Sequence, residues 1–118
     1  MKRLLLVEDQ TLFREGLALL LEWGTGLPIV QAGSLAEARR SLSEAKDRPA
    51  CVIVDLDLPD GDGTELLGQL RGLPVLALTG ARNPKRHAQA LEAGADEVLP
   101  VARSAERIVG VVRGLVEG

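Results

Sequence analysis

The sequence predicts an α/β fold, five β-α units in a row that build a doubly wound parallel sheet with helices on both faces. Two observations carry this. Short apolar runs such as Leu4-Leu5-Leu6-Val7 and Cys51-Val52-Ile53-Val54 have the character of strands covered on both sides. Segments with apolar residues at helical spacing lie between such runs, and repeated β-α alternation implies right-handed crossovers within one sheet. With 118 residues, the whole chain, 1–118, is expected to form one domain with a real core.

The elements follow in order. Arg3 to Val7 reads as a strand. Leu12 to Trp23 reads as a helix, with Thr11 as its candidate N-cap, Gly24 and Gly26 as stops, and Phe13, Leu17 and Leu20 on one face. Pro28 to Ala32 makes a short second strand. Ser34-Leu35-Ala36-Glu37 matches a capping box and opens a helix in which Leu35, Ala38, Leu42 and Ala45 recur at helical spacing. After Pro49, Ala50 to Asp55 form the third strand. Thr64 to Arg71 is a short helix between Gly63 and Gly72, and Pro74 to Leu78 is a fourth strand.

Asn83-Pro84 has the form of an N-cap with proline at the first helical position, leading a helix to Ala93. Glu97 to Leu99 is a brief fifth strand. Ser104 is expected to cap a last helix with Ile108, Val112 and Leu115 on one face. Val109 and Val111 add more aliphatic surface there than one buried face requires, so this helix is the first place to look for a partner surface, while the face of a possible homodimer is not legible.

Composition excludes several classes. Apolar residues make up 46% and charged residues 26%, which fits an ordinary soluble protein. Phe13 and Trp23 are the only aromatics, so the core must be aliphatic and a base-stacking surface is not expected. A net charge of −3 with scattered basic residues argues against a nucleic-acid partner. Cys51 is alone within an apolar run, which rules out an internal disulfide and reads as a small buried hydrophobe. No apolar run approaches the ~18 residues of a membrane span. The run after Met1-Lys2-Arg3 stops at Glu8-Asp9, too soon for a signal peptide, so the expected compartment is the cytoplasm.

The functional signal is acidic. The first strand ends in Glu8-Asp9, and the third delivers Asp55 into the turn-rich segment Asp57, Pro59, Asp60, Gly61, Asp62, Gly63. Open α/β sheets place their ligands at the carboxyl ends of strands. If the two strands are parallel neighbours, Glu8, Asp9 and Asp55 meet. Carboxylates within ~4 Å repel by roughly 4 kcal/mol per pair at an effective dielectric near 20. Such a cluster calls for a counter-charge, and an all-oxygen ligand set suits Mg²⁺, preparing the site for a phosphoryl group. An EF-hand starting at Asp55 fails, since its fifth, sixth and twelfth positions hold Pro59, Asp60 and Leu66.

These residues resemble the receiver domain of two-component response regulators over essentially the whole chain. The resemblance rests on Glu8-Asp9, on Asp55, on Pro59 and Gly63 four and eight positions beyond it, and on Thr79-Gly80 after the fourth strand. Thr11-Leu12-Phe13-Arg14-Glu15-Gly16-Leu17 looks most like receivers attached to helix-turn-helix transcription factors of the quorum-sensing and nitrate-response class. The resemblance implies a flavodoxin-like (βα)5 sheet of strand order 2-1-3-4-5. It makes Asp55 the phosphoryl acceptor, Glu8, Asp9 and Asp55 the Mg²⁺ ligands with the backbone carbonyl of Asp57, and Thr79 the switch hydroxyl. The implied partner is a histidine kinase, with either an effector domain outside this chain or a stand-alone receiver as the two arrangements open, and the implied role is signalling, not enzymatic turnover.

Departures from the family bear on mechanism. Receivers carry a Lys just after strand five; its position here is Val101 counting from Gly94-Ala95-Asp96, or Leu99 if aligned on Pro100. The aromatic switch position likewise holds Val98, or Glu97 in the shifted register. Arg103 and Lys85 are the candidate surrogates for the missing charge. His87 has no second ligand residue near it and reads as surface or packing. Two other readings stand beside the leading one: an atypical receiver that acts by protein contacts without phosphorylation, and a haloacid-dehalogenase-like phosphatase built on Asp55 and Asp57. The latter class needs a downstream Lys and a later acidic motif.

Overall fold

A computed structural model describes residues 2–44, 46–80, 83–102 and 105–118. The strands and helices alternate as β1 (Leu4–Val7), α1 (Thr11–Thr25), β2 (Ile29–Ala32), α2 (Leu35–Glu44) and β3 (Cys51–Asp55). A small hairpin follows, β4 (Asp57–Leu58) and β5 (Gly61–Asp62), then α3 (Thr64–Leu67), β6 (Val75–Thr79), α4 (Pro84–Ala93), β7 (Glu97–Pro100) and α5 (Ala105–Glu117).

Five strands form one parallel sheet in the order β2-β1-β3-β6-β7. Leaving aside the hairpin, this is the expected 2-1-3-4-5 order. The inner strands β1, β3 and β6 are buried along their whole length, as their β-branched and leucine content dictates. Alternate side chains serve opposite layers. Leu5, Val7, Val52 and Val54 pack against α2 and α3 through Leu35, Ala38 and Leu66. Leu4, Leu6, Cys51 and Ile53 pack against α1 and α5 through Leu17, Leu21, Ile108 and Val112. Cys51 is thus the small buried hydrophobe expected. Among the described residues, no helix is long and apolar enough to cross a membrane.

Helix α1 departs from expectation at both ends. Gln10, not Thr11, is the N-cap residue, because the Gln10 carbonyl accepts the Arg14 amide at 2.8 Å. Gly24 does not stop the helix, which continues through it to Thr25. Gly26 ends it at φ 73°, donating its amide to the Glu22 carbonyl at 2.8 Å. The buried face is Leu17, Ala18 and Leu21; Leu20 points outward and is 44% exposed. Helix α3 is also shorter than predicted. It tightens after Leu67 into i to i+3 turns from Leu66 to Gln69, from Leu67 to Leu70 and from Leu70 to Leu73, with Gly68 and Gly72 in the stretch.

The aliphatic surplus expected on α5 is partly taken up by packing. Val109 and Val111 are half-buried and packed against the α1–α5 core cluster. The exposed large apolar side chains of this side belong instead to α1, namely Leu12, Leu19, Leu20 and Trp23. Asn83 caps α4 as predicted, its Oδ1 accepting the Lys85 amide at 3.0 Å with Pro84 following. Ser34 Oγ accepts the Glu37 amide at 3.1 Å as the capping box requires. Ala45, Arg103 and Ser104, named above, lie outside the described residues.

Candidate functional site

The register explains why the acids meet. β1 and β3 are parallel neighbours with Val7 opposite Val54, so Glu8 and Asp55 leave the sheet side by side. One carboxylate oxygen from each of Glu8, Asp9 and Asp55 lies within 4.8 Å of the others. Glu8 and Asp55 are buried, and Asp9 is exposed at the mouth. Glu8 Oε1 accepts the Gln10 amide at 3.0 Å, and Asp55 Oδ1 accepts the Asp57 amide at 2.9 Å. Glu8 Oε2 is buried with no hydrogen-bond partner.

Burial pushes the Glu8 carboxyl up to about 8, with the adjacent Asp55 adding to it. Burial likewise raises Asp55, against the lowering effect of its hydrogen bonds, the Asp57 amide among them. Two sequestered carboxylates, one with an orphaned oxygen, form a pocket short of positive charge. Its donors are all hard oxygens, so the residues fit a divalent cation such as Mg²⁺.

Thr79 ends β6 and is buried. Asp55 pairs with Leu78 across β3 and β6, so Thr79 stands one residue further along the neighbouring strand. Asp57 opens β4 two residues beyond Asp55, with an exposed side chain. Among the described residues, the end of β7 offers no cation: Leu99 belongs to the α1–α5 core cluster, and Val101 is a half-buried aliphatic whose amide donates to the Thr79 carbonyl at 2.8 Å. Lys85 is exposed, and His87 is a surface residue of α4.

Two arginines to which the sequence reading assigns no role hold the site's backbone. Arg14 of α1 donates Nη1 to the Glu8 carbonyl at 2.8 Å and Nε to Gln31 Oε1 at 3.1 Å. Arg86 of α4 donates Nη1 to Asp62 Oδ2 at 2.7 Å and Nη2 to the Leu56 carbonyl at 3.0 Å. Arg86 holds the Asp62 carboxyl down to about 2. Pro84 at the helix start puts both Lys85 and Arg86 in the first turn of α4, and of the two it is Arg86 that faces the acidic loop while Lys85 is exposed. Asp60, at the hairpin tip, reaches α2 and accepts the Leu35 and Ala36 amides at 2.8 and 3.0 Å.

A five-stranded parallel sheet with buried acids at the carboxyl ends of adjacent strands defines a ligand-binding α/β class, and the comparisons narrow it. The response regulator receiver domain family matches residues 4–113, and the chain belongs to that family, a component of two-component systems. It is 40% identical over 103 residues to the KDP operon transcriptional regulatory protein KdpE of Escherichia coli, covering 84% of this chain and 44% of that protein. It is 34% identical over 118 residues to the response regulator MprA of Mycobacterium tuberculosis, covering 97% and 50%. The chain therefore spans about half the length of these curated relatives. A response regulator from Burkholderia pseudomallei, solved with a phosphorylated aspartic acid, a calcium ion and citrate, superposes with a TM-score of 0.84 at 26% identity, covering 99% of this chain and 69% of that one.

Proposed function

We propose that residues 1–118 form one receiver unit in which Asp55 accepts a phosphoryl group from a histidine kinase in a Mg²⁺-dependent reaction. Glu8, Asp9, Asp55 and the carbonyl of Asp57 would hold the cation, which when bound would neutralise the carboxylates and draw in phosphoryl oxygens. An Asp55 carboxylate oxygen attacks phosphorus as the bond from phosphorus to the donor's imidazole nitrogen breaks, leaving an acyl phosphate and a free histidine. The Asp57 amide orients the Asp55 carboxylate. The Thr79 hydroxyl acts as the switch that meets the phosphoryl group and passes the change to the adjoining surface. The effector domain lies outside this sequence, and the setting is the cytoplasm.

The observation that carries this reading is the buried Glu8 Oε2 without a partner beside Asp55. A solvated acidic turn would not leave a buried carboxylate oxygen orphaned. The test is incubation with acetyl phosphate and Mg²⁺ followed by intact mass, with Asp55→Asn alongside. One phosphoryl adduct is expected in the native chain, absent in the variant and absent without Mg²⁺. No adduct, together with no spectral change on adding beryllofluoride and Mg²⁺, would leave a binding module that keeps the pocket without its chemistry.

A further inference from the structure

The peptide unit joining Leu56 to Asp57 is held at both ends. Its N–H, on Asp57, donates to Asp55 Oδ1 at 2.9 Å. Its C=O, on Leu56, accepts from the Gly63 amide at 2.8 Å and from Arg86 Nη2 at 3.0 Å. The other arm of the same guanidinium is anchored on Asp62 Oδ2 at 2.7 Å, and Nη2 lies 3.5 Å from Asp57 Oδ1. Asp62 is fixed in turn, its Oδ1 accepting the Thr64 amide and hydroxyl at 2.9 and 2.8 Å.

A charged donor on a carbonyl polarises the whole peptide and strengthens what its N–H gives. Arg86 therefore acts on Asp55 through one peptide group. The fork of an arginine suits this task, since an ammonium cannot hold the same two acceptors in fixed directions. Among the described residues, Arg86 is also the only cation lining the 420 Å³ cleft that it shares with Asp9, Asp57 and Asp62.

We propose that Arg86 is a positioning residue for the acceptor: through the Leu56–Asp57 peptide it aims the Asp55 carboxylate, and it ties the first turn of α4 to the acceptor loop. The inference deepens the receiver reading and rests on it for the phosphorylation step only. In a chain without a lysine after β7, this places a positive charge of α4 one peptide away from the acceptor.

The experiment compares the native chain with Arg86→Met, Arg86→Lys and Asp62→Asn. In metal-free protein, the Asp57 and Gly63 amide resonances should shift in Arg86→Met, and the Asp57 amide should exchange roughly five- to tenfold faster. Arg86→Lys should fall between. Asp62→Asn, which keeps the Arg86 charge but removes its anchor, should move the same resonances in the same direction, and it serves if Arg86→Met does not fold. With acetyl phosphate and Mg²⁺, Arg86→Met should lose about tenfold in maximal phosphorylation rate, the scale of removing a residue that orients a metal-site ligand, with a smaller change in half-saturation for acetyl phosphate. Unmoved Asp57 and Gly63 amides in folded Arg86→Met would overturn the proposal. If the native chain itself takes no phosphoryl group, the receiver reading falls, and the metal-free amide comparison still decides the role of Arg86.

Discussion

Gly63 and Asp55 are in backbone contact: a Cβ on Gly63 would lie 2.4 Å from the Asp55 carbonyl oxygen and 2.7 Å from Leu56 Cα. Gly63 sits at φ −57°, so the demand is for space and not for an unusual backbone conformation. Its amide also donates to the Leu56 carbonyl at 2.8 Å. Gly63→Ala must push the acceptor loop away, because both neighbouring atoms are main chain. The expected cost is about 1–3 kcal/mol, the range for overpacked cores, and Mg²⁺ should bind more weakly. Urea unfolding together with a Mg²⁺ titration checks this. An unchanged unfolding midpoint would mean that the loop yields freely.

Asp60 gives the protein an acid-sensitive tie between the hairpin and α2. The Leu35 amide, then the Ala36 amide, hold its carboxyl below the usual aspartate range, and Arg39 adds a weaker pull. A carboxyl lowered on folding stabilises the native state fully above its unfolded pKa of roughly 3.9. That contribution fades as pH falls from there through the lowered folded value. Asp60→Asn cannot titrate, so its unfolding midpoint should fall less steeply with acidification over this window than that of the native chain. Asp62, held down to about 2 by Arg86, should lose its contribution from the same upper limit down through about 2, in both proteins alike. Parallel acid limbs for the two proteins would remove Asp60 from this role.

The sheet was legible because its strands are apolar on both faces, which in a chain of this length points to a parallel sheet covered by helices. Glu8, Asp9 and Asp55 were legible because each ends such a run. The hairpin was not: Asp57 to Asp62 reads as turn formers, and its two-residue strands carry no periodicity. Arg14 and Arg86 were hidden for a different reason. Their partners are main-chain carbonyls, on Glu8 and Leu56, and the sequence names no acceptor for a side chain that bonds to backbone. Gly24 misled because glycine usually marks a helix end, whereas here it makes room for a neighbouring helix.

That room is specific. A Cβ on Gly24 would lie 2.4 Å from Val109 Cγ1 of α5, and valine has little rotamer freedom with which to yield. Gly24→Ala should therefore destabilise by about 1–3 kcal/mol, against the gain of up to about 1 kcal/mol that alanine brings to a helix interior. In the double variant with Val109→Ala the clash is gone, so the two changes should be strongly non-additive in a denaturation cycle. Additive losses would show that the contact between α1 and α5 at this point is loose.

The missing lysine can be returned, and the two positions open to it should behave differently. Leu99 is 7% exposed within the α1–α5 core cluster, so Leu99→Lys puts an ammonium among aliphatic side chains. Burying an unpaired charge is costly enough that this variant should unfold at markedly lower temperature or titrate to a neutral amine. Val101 is half-buried just beyond β7, and its amide already donates to the carbonyl of Thr79 at the end of the sheet where the acids gather. Val101→Lys should fold with little loss and bring a cation toward Glu8, Asp9 and Asp55. Beryllofluoride with Mg²⁺ should then bind more tightly than to the native chain, while Asp55→Asn in the same background removes the gain. Equal thermal stability of the two lysine variants, or weaker beryllofluoride binding by Val101→Lys, would place the family's lysine position elsewhere in this chain.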